Sequence, residues 1–90
     1  MEWDEEKCRG NLQKHGLSFD DAWQVLAGDT ITIPDERYDY GEDRLITLGR
    51  LAGRAVVVVH VDRGEHTRII SMRKANAREQ EIYQKRLSRD

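Results

Sequence analysis

The chain has 90 residues, room for a single domain (1–90) and no second core. Apolar residues make up 38% and charged residues 36%, but apolar positions recur with helix or strand periods and none of the runs nears the roughly 18 consecutive apolar residues of a membrane span, which excludes a disordered chain and a helical membrane protein. The net charge of −2 is split unevenly: residues 1–43 carry 4 basic and 12 acidic side chains (−8), and residues 44–90 carry 11 basic and 5 acidic (+6), which points either to a polyanion partner for the second half or to halves that neutralise each other.

In chain order, the acidic start MEWDEEK lacks an apolar signal core, so export is not expected. Asp4 is a fitting N-cap, with Glu5 and Glu6 in the first turn where the helix dipole favours anions. The helix runs through Cys8 and Leu12 to about His15, and Gly16 closes it. Cys8, the one cysteine, reads as a small buried hydrophobe and suits a reducing cytoplasm. Ser18 caps a second helix. Phe19, Ala22, Trp23 and Leu26 share its apolar face, and Gly28 ends it. Trp3, Phe19 and Trp23 are expected in the core by spacing and burial habit. Asp4 to Gly28 is thus a helical hairpin.

The period then changes. Thr30 to Ile33 alternates like a short strand and stops at Pro34, as an edge strand does. Asp35 to Asp43, with Tyr38, Tyr40 and Gly41, is a polar loop. Arg44 to Leu51 is strand-like, and Ala52-Gly53 is a tight turn. Ala55 to Val61, apolar save His60, is the central strand with both faces covered. Asp62 to Glu65 turns the chain again, with Gly64 supplying positive φ. Thr67 to Arg73 is the last strand. Short turns between these strands imply an antiparallel meander. Asn76 to Glu79 resembles a capping box and opens a final helix to about Leu87, with Ile82, Tyr83 and Leu87 as its apolar stripe. The expected fold class is α+β: an N-terminal helical hairpin, an antiparallel sheet of three to four strands and a C-terminal helix.

Several strings, taken in order, resemble the BrnT toxins. These are WDEEK from Trp3, NLQKHG from Asn11 with Phe19 and Ala22 following, RYDYGEDR from Arg37 to Arg44, RIISMRKA from Arg68 to Ala75, and then Glu79 and Tyr83. Each string is short, but together they span nearly the whole chain. The resemblance implies a RelE-like fold and RNA cleavage without a metal or other cofactor. It also implies a cognate BrnA antitoxin, whose ribbon-helix-helix part binds operator DNA, so that the complex silences the toxin and represses its own operon.

Metal-free RNA cleavage needs a base for the 2′-hydroxyl, an acid for the leaving oxygen and cations for the phosphoryl charge. Arginine suits the last task, because its planar fork binds phosphate at two points. Arg73 is the first candidate. Strand alternation puts it on a face with Thr67, Ile69 and Ser71, opposite a core face of Ile70 and Met72. Arg68 falls on the other face and joins Arg73 only from an edge or through a bulge. Lys74 is a plausible phosphate contact, as a point charge. Ser71, Lys14, His15 and Arg44 complete the candidate RNA-binding set. His60 is the natural acid–base candidate, histidine being the residue type suited to proton transfer near neutral pH, but its place beside Val56 and Val58 equally suits a buried structural histidine. His15 equally suits a role at its helix C-terminus. Glu79 is a catalytic candidate whose capping role would also explain it. Tyr83 either stacks on a base or packs the last helix on the sheet. The three histidines are scattered and pair with no cysteine or acidic residue at ligand spacing, so no metal site is expected. The competing reading is a non-catalytic RNA-binding or partner-docking module.

Overall fold

The computed structural model describes residues 1–37, 39 and 41–88. Tyr38 and Tyr40 of the expected loop lie outside them. The elements are α1 (Glu5–His15), a 3-10 turn (Phe19–Asp21), α2 (Ala22–Ala27), β1 (Ile31–Pro34), β2 (Leu45–Leu51), β3 (Arg54–Arg63), β4 (His66–Lys74) and α3 (Ala77–Leu87). The strands form one antiparallel sheet in the order β1-β2-β3-β4. This is the expected α+β class, with four strands.

Local chemistry explains most boundaries. The Asp4 carboxylate accepts from the backbone N–H of Glu6 and Lys7, and Gly16 closes α1 at φ 70°. Ala52 and Gly53 both have positive φ, 51° and 79°, so β2 and β3 are joined by a two-residue type I′ turn whose twist matches the strands. The expected second turn is shorter than four residues: Arg63 still pairs with His66, leaving Gly64 and Glu65 as the loop.

The valines of β3 are buried on both faces. On one face Val56 and Val58 meet Cys8, Phe19, Ala22 and Val25 from the helical hairpin, together with Ile69 and Met72. On the other, Val57 and Val59 meet Leu48, Ala75 and Tyr83, with Ile46, Ile70 and Leu87 at the margin. The sheet therefore lies between the hairpin and α3. Gly49 is where α2 comes closest: a Cβ there would stand 2.6 Å from Val25 Cγ1 and 3.2 Å from Thr30 Cγ2. Any side chain at this position would push α2 off the sheet.

One expectation about packing changes: Trp23 is 59% exposed, not core. The second helix begins as a 3-10 turn, with three residues per turn, so Phe19, Ala22 and Val25 align inward and Trp23 is rotated out. In α1 the buried face is Cys8 and Asn11. The Asn11 side chain donates to Leu17 O (3.0 Å) and accepts from Met72 N (3.1 Å), tying α1 to β4. Near the N-terminus, Glu2 pairs in parallel with Arg68: Glu2 N donates to Thr67 O and Ile69 N to Glu2 O, each at 2.9 Å.

Candidate active site

The last strand does not alternate strictly. Val59 faces Ser71 but His60 faces Ile69, so Ile70 is an extra residue in β4. This is a β-bulge, two residues against one. Its effect shows in the core: Ile69 and Met72, which alternation would separate, pack in one cluster, while Ile70 packs in the other. Thr67 and Ile69 are thereby moved off the face of Arg73, contrary to the expectation from alternation. In their place the bulge turns Arg68 onto it. Arg68, Ser71 and Arg73 stand opposite Val61, Val59 and Val57, alternate residues of β3 on the α3 side of the sheet.

Arg73 is held by a carboxylate. Its Nη1 and Nη2 donate to Glu79 Oε1 and Oε2 at 2.7 and 2.8 Å, a two-point pair. The capping box delivers Glu79 to this place. Asn76 Oδ1 accepts from Glu79 N at 2.8 Å, and Glu79 Oε1 accepts from Asn76 N at 2.9 Å. Glu79 is thus both cap and ion-pair partner. The hydrogen bonds from Arg73 hold its carboxyl below the ordinary range; partial burial opposes this, and Asn76 N–H and the Arg73 charge add to it. The same hydrogen bonds raise the Arg73 pKa, against burial and the nearby charge of Arg37. Arg37 is itself anchored on buried Asp35, 2.8 Å from Nε to Oδ1. Arg68 is half-buried and has no ion pair among the described residues.

The structure does not bring His60 or Tyr83 to this face as exposed groups. His60 is 4% exposed. Its Nε2 bonds Thr47 Oγ1 (2.7 Å) and its Nδ1 bonds Asp62 Oδ1 (2.9 Å). Thr47 is the cross-strand partner of Val58, which packs under the helical hairpin, so His60 lies on the opposite side of the sheet from Arg73. Tyr83 is 1% exposed, donates to Asp29 O at 2.7 Å, and lies under the Arg50 guanidinium, 5.8 Å from the ring centre. It packs α3 onto the sheet. Lys14 is exposed on the last turn of α1, and Arg44, half-buried, lies 3.9 Å from Glu42.

Lys74 and His15 belong to another feature, at the end of the sheet. Lys74 lines a groove of about 320 Å³ with Arg50, Arg54, Gln80, Tyr83 and Gln84. It also lines, again with Arg54, a hollow that reaches His15 and Val56. Nothing in the sequence pattern points to Arg50 or Arg54. They flank the Ala52-Gly53 turn, and only the folded hairpin carries them to Lys74. Among the described residues no group of three or more His, Cys, Asp or Glu is placed to hold a metal ion, and no helix is long and apolar enough to cross a membrane.

These features define a small α+β protein with two arginines, one of them paired with Glu79, on one face of the last strand of its sheet. The model of a family described as "Ribonuclease toxin, BrnT, of type II toxin-antitoxin system" matches residues 3–79, nearly the whole chain, Arg68, Arg73 and Glu79 included. The chain belongs to the BrnT family: it is a ribonuclease toxin, an enzyme with an antitoxin as its counterpart. No curated protein matches it in sequence.

Proposed function

We propose that the chain is a metal-independent endoribonuclease that cuts single-stranded RNA on the sheet face carrying Arg68, Ser71 and Arg73. The observation that carries this reading is the β4 bulge, which sets two arginines on one face beside a carboxylate. In the reaction the 2′-oxygen attacks the adjacent phosphorus and the 5′-oxygen leaves, so the products are a 2′,3′-cyclic phosphate and a 5′-hydroxyl end. Arg73 and Arg68 stabilise the charge that builds on the phosphoryl oxygens. Glu79 takes one N–H from each terminal nitrogen of Arg73, and a phosphate that enters on that edge of the fork displaces the carboxylate. Once released, Glu79 regains basicity and takes the 2′-hydroxyl proton, while solvent protonates the leaving oxygen. Cleavage of cellular RNA in the cytoplasm would inhibit translation. A BrnA-type ribbon-helix-helix antitoxin would cover the basic face, silence the enzyme and bring operator DNA to the complex for autoregulation.

The test is incubation of the purified chain, free of antitoxin, with single-stranded RNA in EDTA. We expect cleavage, and a fall in kcat/KM of about 10²–10³-fold in Arg73→Ala with its circular dichroism unchanged. A folded wild type that binds RNA and leaves it uncut would make the chain a binding module instead.

A further inference from the structure

Arg50, Arg54 and Lys74 come from three different strand ends and line one groove. None of them forms an ion pair among the described residues, as Arg9, Lys14 and Arg68 do not either, but only these three gather along one groove. No acidic side chain lines the groove among the described residues. Like charges gathered without a counter-charge repel one another until an anion arrives. The Arg50 guanidinium moreover rests over the Tyr83 ring, 5.8 Å from its centre, a contact that favours this placement of the charge before an anion binds. At about 320 Å³ the groove sits at the low end of ligand-sized clefts, roughly 300–1,000 Å³. That suits an extended strand better than a folded partner.

Its position suggests what the anion is. Lys74 follows Arg73 on β4, and Gln80 follows Glu79 on α3, so the groove begins one residue beyond the Arg73–Glu79 pair on both elements. We propose that this groove holds backbone phosphates of the RNA strand beside the cleavage point, with Arg50, Arg54 and Lys74 as the contacts, and so sets KM rather than kcat. The proposal rests on the ribonuclease reading above.

The test is Arg50→Ala/Arg54→Ala, with Arg54→Ala alone in case removal of the Arg50 guanidinium from the Tyr83 ring loosens α3. Arg9→Ala, which removes an exposed charge from α1 away from the groove, is the control. Steady-state cleavage of a single-stranded oligonucleotide is measured across salt concentrations. We expect KM to rise about tenfold per residue, as removal of a charge-assisted hydrogen bond does, with kcat kept at saturation. The slope of log affinity against log salt falls by about 1.4 in the double variant, about 0.7 for each phosphate left without its cation. An unchanged KM and slope, or the same change in Arg9→Ala, overturns the proposal. So does a double variant that binds RNA normally but releases the antitoxin, which would assign the groove to the protein partner. If the wild type cuts nothing, the ribonuclease reading fails by itself, and fluorescence anisotropy of labelled oligonucleotide still decides the groove by the same slope.

Discussion

Glu79 sits between two demands. Its carboxylate finishes the helix cap through Asn76 N and neutralises Arg73 at 2.7 Å. Because its pKa is lowered in the folded chain, its contribution to stability is present above the ordinary value of 4.5 and is lost as pH falls through the lowered one. We therefore expect the stability gap between wild type and Glu79→Gln to be flat above pH 4.5 and to close in acid, as read by denaturant unfolding at a series of pH values. A gap independent of pH down to full protonation would leave the pair without energetic weight. The side-chain types of this site were legible in the sequence. The capping-box pattern named Glu79, and strand placement named Arg73. What was hidden was that one residue serves both roles, because the Arg73 fork reaches Glu79 only after α3 folds back from the end of β4.

At the scale of elements, periodicity read well wherever one rule governed a segment. Caps at Asp4 and Asn76, the Ala52-Gly53 turn and the doubly covered β3 all follow from local chemistry. It failed where two periods meet. The 3-10 start of the second helix shifts its inward face by one residue and exposes Trp23. The bulge at Ile70 does the same to β4, and depends on the register of β3, which β4 alone does not contain. Two substitutions test the packing that results. Gly49→Ala forces a Cβ against Val25 and is expected to cost about 1–3 kcal/mol. Ala52→Gly removes the strain of a left-handed alanine at φ 51° and is expected to gain up to about 1 kcal/mol. Denaturation midpoints should therefore move in opposite directions, and a stable Gly49→Ala would mean that α2 does not seat on β2 as described.

Over the whole molecule, the excess of basic residues in the second half is not spread evenly. Part of it is paired, as in Arg63 with Glu42 at 2.6 Å, and part gathers at the sheet end around Arg54 and Lys74. The charge count made a polyanion partner of the second half an open question but held no site within it, since convergence of Arg50, Arg54 and Lys74 is a product of the fold. With a net charge of −2, the chain should still bind RNA with a steep inverse dependence on salt, because local contacts rather than net charge release counterions. Affinity indifferent to salt would count against a phosphate-binding surface of any kind.

The contacts of Glu2 and Asn11 with β4 bear on how this protein meets other chains. The amides of Ile69 and Met72 are already engaged, one by the Glu2 carbonyl and the other by the Asn11 side chain. An incoming strand finds these two donors of that margin already taken. The opposite margin, β1, is a four-residue strand ending in proline, a form that discourages self-pairing. Strand-by-strand aggregation is hindered on one border and curtailed on the other, and a partner that docks by strand addition at β1 has Ile31 to Ile33 to grip.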